Sequence, residues 1–132
     1  MSAARLIIPA LLLMTATSAL SAPQAHMVFF TLAEPSEANR DRLVAGCQKH
    51  LADHEGVLYF SVGVLAEDLS REVNDKSFHV ALHLVFDSRE SHDTYQKHPR
   101  HLAFVAENKA LWSKVKVYDS DLVKAASAAA KE

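Results

Sequence analysis

Between Phe86 and Trp112 the sequence reads FDSRESHDTYQKHPRHLAFVAENKALW, and one phenol and two imidazoles gather there around a proline: Tyr95, His98, Pro99 and His101. A phenol beside a neutral imidazole suits general acid–base chemistry at a carbonyl, one group holding the oxygen while the other takes a proton. Proline in a first helical turn forfeits no hydrogen bond, so Pro99 is expected to open a new helix with His101 in its first turn. The positive end of that helix disfavours imidazolium, which keeps His101 competent as a base near neutral pH. Tyr95 lies about two turns earlier, across the break, where it can share a hydrogen bond with His101 or orient a substrate. The same residues also have a plainer use. His98 can cap the helix, His101 can bond a backbone carbonyl, and Tyr95 can pack half-buried.

Such groups need a rigid frame, and the hydrophobic periodicity supplies one. His26 to Leu32 is a strand pattern with His26, Val28 and Phe30 on the face that helices should cover. Ser36 and Glu37 mark a helix start, followed by a stripe of Ala38, Leu43, Val44, Cys47 and Leu51 that Gly56 is expected to stop. Val57 to Leu65 and Ser77 to Phe86 alternate as two further strands, separated by a polar loop that turns at Asn74-Asp75. On the second of these, Phe78, Val80, Leu82, Leu84 and Phe86 share the inner face. Ser88 caps a helix through Lys97. Leu102, Val105 and Trp112 are the expected apolar side of the helix after Pro99, and Lys114 to Asp119 is the last strand.

The order is β-α-β-β-α-α-β. With the two short helices taken as one broken unit, this is α+β and ferredoxin-like, a four-stranded antiparallel sheet with helices on one face. The other face carries Met27, Phe29, His79, Ala81, His83 and Val85. It is apolar enough to need a cover, and a second copy of the sheet is the simplest one, so a homodimer is expected. A pocket between sheet and helices would have Val28, Phe30, Val80 and Leu82 as its apolar walls, with His26, Tyr95, His98 and His101 as its polar groups.

Other chemistries find less support. His98 and His101, and His50 and His54, are spaced to share a helical face. There is no cysteine partner for them and no H-E-x-x-H string, so no metal and no cofactor are expected. His79 and His83 would stand ~13 Å apart along a strand, too far for one ion. The single Cys47 lies on the apolar stripe of the first helix, as packing rather than as a nucleophile.

Residues 1–22 read as a secretory signal, with Arg5 as its charge, Leu6 to Leu13 as its apolar run and Ala19-Leu20-Ser21-Ala22 as its cleavage zone. The run is broken by Pro9 and is shorter than the ~20 residues a membrane span needs. Cleavage removes Arg5 and no acid, leaving 13 basic side chains against 16 acids and a net charge of −3. That balance argues against nucleic acid as a partner. The mature chain is expected to be secreted or periplasmic and free of the membrane. With one cysteine it must be held by its core alone. Its single domain is expected over 23–120, with an alanine-rich tail over 121–132.

The string YQKHPRHLAF, preceded by FHVALHLVFDS and followed by VKVYD, resembles the stress-responsive A/B barrel (Dabb) domain family. His26-Met27-Val28-Phe29-Phe30 and Glu55-Gly56-Val57 match its other landmarks, so the resemblance spans about His26 to Asp119. It implies a dimeric α+β barrel in which two ferredoxin-like sheets pack face to face. Many members of the family have no assigned reaction. One characterised relative, the plant olivetolic acid cyclase, performs an intramolecular aldol condensation without a cofactor. Its catalytic tyrosine and histidine fall on Tyr95 and His101, its first-strand histidine on His26 and its other helix-start histidine on His98. A further pocket histidine of that relative falls on Val80, with His79 beside it on the opposite face. Two expectations follow. One is an exported dimeric barrel that binds a small apolar or aromatic molecule in a stress-related role. The other is a cofactor-free cyclase or isomerase using Tyr95 and His101.

Overall fold

Gln24 to Leu32 alternates side chains inward and outward along the sequence QAHMVFFTL, and it forms the central strand β1 (Gln24–Leu32). The computed structural model describes residues 21–124, so 1–20 of the expected signal segment and 125–132 of the alanine-rich tail lie outside the described residues. After β1 come α1 (Glu37–Leu51), β2 (Val57–Val64), β3 (Val80–Phe86), α2 (Arg89–Lys97), α3 (Pro99–Asn108) and β4 (Trp112–Asp121). The strands form one antiparallel sheet in the order β2-β3-β1-β4. With the helices on one face this is the ferredoxin-like α+β fold.

Local chemistry sets most of the boundaries. Ser36 caps α1 by accepting from the Asn39 N–H, and Ser88 caps α2 by accepting from the Ser91 N–H. The helix α1 ends at Leu51, before Gly56, because Ala52 is extended and Asp53 takes a left-handed φ of 59°. Gly56, with φ 79°, serves the turn into β2 instead, where a Cβ would strike Ser91. Leu43, Cys47 and Leu51 of α1 pack on Val80, Leu82, Leu84 and Phe86 of β3, all essentially without solvent contact. Each large apolar side chain so buried contributes about 1.5–3 kcal/mol. Ala38, expected on the stripe, is exposed at the open end of the helix.

Several expectations about boundaries and faces are corrected. The strand β3 begins at Val80 rather than Ser77, since the Ser77 N–H is taken by the Asp75 carboxylate at 2.8 Å. Phe78 therefore leaves the inner face and packs on Phe29 on the outer one, at 5.0 Å between centroids. On α3 the buried side chains are Phe104 and Asn108; Leu102 is 56% exposed, whereas Val105, 37% exposed, still borders the space between helices and sheet. Trp112 opens β4 instead of closing that helix, because a tight turn over Lys109–Leu111 intervenes.

The outer sheet face carries Met27, Phe29, His83 and Val85, as expected, but His79 lies before the strand and its Nδ1 accepts from the Leu32 N–H. Ala81 is already buried by its neighbours. Tyr118 joins this face beside Phe29, and Tyr59 and Ser61 add to it from β2. Among the described residues no helix is long and apolar enough to cross a membrane.

Candidate functional site

On the central strand, His26 stands directly opposite Asp119 of β4. Facing cross-strand side chains lie about 5 Å apart at their Cβ atoms, close enough for a direct bond. His26 Nδ1 and Asp119 Oδ1 meet at 2.5 Å. His26 is 5% exposed and Asp119 lies near the rim.

The helix α2 adds two groups one turn apart, His92 and Tyr95, a spacing that puts both on its inner side. His92 stacks on Phe86 at 4.9 Å and 14° between planes, and its ring centroid lies 4.6 Å from that of His26. Gln96 reaches His92 Nε2 at 3.1 Å. Tyr95 is 2% exposed and touches Phe86, His26, His54 and His101 with its ring.

The break between α2 and α3 is built by His98. Its backbone N–H donates to the Tyr95 carbonyl, and its Nδ1 accepts from the Arg100 N–H. Arg100 donates in turn to the carbonyls of Lys49 and Ala52, which pins the start of α3 to the end of α1. Pro99 and this double cap swing His101 back toward Tyr95, so that the two rings lie 4.8 Å apart.

These groups stand at the polar end of a cavity of about 510 Å³, within the usual ~300–1,000 Å³ of small-molecule sites. Val28, Phe30, Leu82 and Phe104 form its apolar floor, Trp112 and Val117 its far wall. Of the residues singled out in the sequence, His26, Tyr95, His101, Val28, Phe30 and Leu82 line it together. His98 does not, because capping turns its ring onto His54, 4.8 Å away. Val80 does not either; it is fully buried core. His92, Asp119, Gln96, Arg89 and Asp93 line the cavity without having been anticipated. His92 had one legible signal, its i, i+3 relation to Tyr95. Asp119 had none short of the register between β1 and β4.

Burial sets the protonation of the site. It lowers the proton affinity of His101, with His26 acting the same way and the Gln96 carbonyl pulling back. Burial likewise lowers that of His92, again reinforced by His26. Tyr95 is pushed well above the usual phenol range by burial, so it remains a hydrogen-bond donor. His101 Nδ1 is buried without a partner of good geometry among the described residues. The set is therefore one neutral phenol and two neutral imidazoles facing an apolar space, fit to hold a carbonyl or hydroxyl group. Outside the cavity, burial likewise lowers the proton affinity of His54, and its Nε2–H donates to the His50 carbonyl at 2.8 Å.

Residues 25–122 match the family described as Stress responsive A/B Barrel Domain. No curated protein matches the chain. Among solved structures, a Dabb-family protein with a ferredoxin-like fold from Mesorhizobium loti is 23% identical with a TM-score of 0.65, covering 79% of this chain and 100% of that one. A dimeric ferredoxin-like protein of unknown function from Thermobifida fusca is 14% identical with a TM-score of 0.63, covering 77% and 92%. The hydroxynitrile lyase of Passiflora edulis is 19% identical with a TM-score of 0.63, covering 80% and 98%. At these identities the likeness is one of fold.

Proposed function

The chain belongs to the stress responsive A/B barrel domain family, and from that premise we propose that it is an exported, dimeric barrel which binds a small apolar or aromatic molecule in a stress-related role. The observation that carries the binding reading is the cavity of about 510 Å³, apolar along its floor and polar at one end. Such a space favours a ligand with a hydrocarbon or aromatic body and a single carbonyl or hydroxyl head. Trp112 is the only tryptophan and lines this cavity, so its fluorescence is a built-in reporter. Titration with aromatic aldehydes and ketones is expected to quench or shift its emission. Val28→Phe, which fills the floor, should abolish the response. Unaltered emission across such a series would sink the binding reading.

The second copy in this proposal covers the outer sheet face, where Phe29, Phe78 and Tyr118 make a cluster of rings. Relatives in fold are described as dimeric. Mass in solution tests it: a monomer at micromolar concentration contradicts the pairing, and Phe29→Asp should produce one. Export rests on Arg5 and the apolar run after it. Fractionation of the producing cell, with determination of the N-terminus, tests that part.

A specific observation favours a second reading, cofactor-free acid–base catalysis of the cyclase or isomerase type. Tyr95 and His101 stand in contact, one kept as phenol and the other as neutral imidazole. In it Tyr95 donates to a carbonyl oxygen while His101 removes a proton from the adjacent carbon, and the enol that results attacks or reprotonates. One neighbour in fold is a hydroxynitrile lyase. The test is closure of a poly-β-keto thioester by wild type, Tyr95→Phe and His101→Ala. Equal rates in all three would end the catalytic reading and leave the binding one standing.

A further inference from the structure

Three donor side chains from three separate elements converge at the polar end of the cavity. They are His26 from β1, His92 from α2 and Asp119 from β4, and one donor atom of each lies within 4.8 Å of the others. We propose that they bind a single divalent first-row transition ion, with zinc as the first to try. This goes beyond the ligand-binding reading and departs from the metal-free expectation of the sequence, which weighed other histidine pairs.

Those other pairs have different work. His50 Nε2 meets Glu107 at 2.7 Å, His54 Nε2 donates to the His50 carbonyl, and His98 caps α3. The convergent group is separated by 66 and 27 residues in the chain, so no local spacing announces it.

Two imidazole nitrogens and one carboxylate oxygen suit zinc, iron, nickel or copper; magnesium and calcium prefer oxygen alone. Bonds of about 2.0–2.2 Å to a tetrahedral ion put neighbouring donors about 3.3–3.5 Å apart. The His26–Asp119 contact, 2.5 Å as it stands, must therefore open by about 0.8–1.0 Å. The widest separation, up to 4.8 Å, must close by up to about 1.5 Å. The group that can move is the right one. His26 and His92 are 5% and 6% exposed, the first on the central strand and the second stacked on Phe86, whereas the Asp119 side chain is 47% exposed on an edge strand. A rotamer change of the Asp119 carboxylate can open its contact with His26 to the separation an ion needs. Three protein ligands leave a coordination position free for water or for an oxygen of a cavity ligand.

The test is titration of the purified protein with Co²⁺, read by visible absorption, followed by Zn²⁺ in competition with a chromophoric chelator. One ion per protomer is expected, with the visible bands of a four- or five-coordinate site. His92→Gln and Asp119→Asn should each weaken binding by at least about 100-fold, the upper end of what loss of a ligand's supporting partner costs. His50→Gln should leave it unchanged. Asp119 is on the rim, so its variant is expected to fold even if His92→Gln does not. Zinc should raise the melting temperature of wild type and not of Asp119→Asn. Equal affinity in wild type and Asp119→Asn, or binding lost only in His50→Gln, would overturn the proposal and leave His26 and Asp119 as a hydrogen-bonded pair.

Discussion

Tyr95 and His101 face one another across the break at Pro99, the first in the last turn of α2 and the second in the first turn of α3, with ring centroids 4.8 Å apart. Neither helix alone could bring them together; the double cap by His98 does. Removing the Tyr95 hydroxyl while keeping its ring should leave stability within about 1 kcal/mol, because the ring does the packing. The same Tyr95→Phe change should weaken an aromatic ketone by roughly tenfold, the value of one hydrogen bond. Thermal melting and Trp112 fluorescence read the two quantities separately. A large loss of stability with unchanged affinity would assign the hydroxyl to the fold.

The buried histidines set a pH dependence. His54, His92 and His101 each have proton affinity lowered chiefly by burial, so the unfolded chain binds more protons than the folded one once the pH drops toward about 6.5. Stability carried by these neutral rings is fully present above that pH and is lost as pH falls toward the lowered folded values. Glu107 and Asp121 are held ionised, the first chiefly by His50 and the second chiefly by Gln24, and their share is lost only in more acid solution. Melting temperature should thus decline from pH 7.5 to pH 5, and His54→Gln should flatten part of the slope. A flat profile in wild type would contradict this.

Packing between α1 and α3 is tight at one glycine. A Cβ on Gly46 would lie 2.6 Å from Asn108 Oδ1 and 2.9 Å from its Cγ. Asn108 is buried and its Nδ2 donates to the Phe104 carbonyl at 2.9 Å, so it cannot step aside without giving up that bond. Gly46→Ala should cost about 1–3 kcal/mol by overpacking, more than the ~1 kcal/mol that alanine gains in helix propensity. Denaturant unfolding measures it. In the double variant with Asn108→Ser the penalty should shrink, giving a coupling between the two sites.

Cys47 offers a simpler check. Its side chain has no solvent exposure, and burial pushes its thiol up to about 12. A disulfide reagent at pH 8 should label it only after denaturant is added. Immediate labelling of the native protein would show that α1 opens far more readily than its packing implies.

Alternation made the strands readable in the sequence, and caps such as Ser36, Ser88 and Pro99 made the helix starts readable. The errors cluster where a neighbour decides the outcome. Phe78 turned outward because the Asp75 side chain captured the Ser77 backbone. Leu102 lost the inner face of α3 to Phe104 and Asn108, a rotation that apolarity alone does not encode, while Val105 kept a place at the cavity. The site divides the same way. His26, Tyr95 and His101 could be named from type and spacing, whereas Asp119 meets His26 only through the pairing of β1 with β4. Of the two readings given to His98, the pocket group and the helix cap, the structure shows the cap.

The two edges of the sheet are guarded differently. On β2 the pairing with β3 slips by one residue between Val57 and Tyr59, and Leu58 is thrown out of the ladder to 64% exposure. A bulge of this kind twists an edge so that another strand cannot lie along it. The opposite edge, β4, is lined with Lys114, Lys116, Asp119 and Asp121, charges that resist an added strand. Fibre growth by strand addition is thereby discouraged at both ends of the sheet. The pairing proposed through the broad face would close at two copies, whereas pairing along either rim would continue without end.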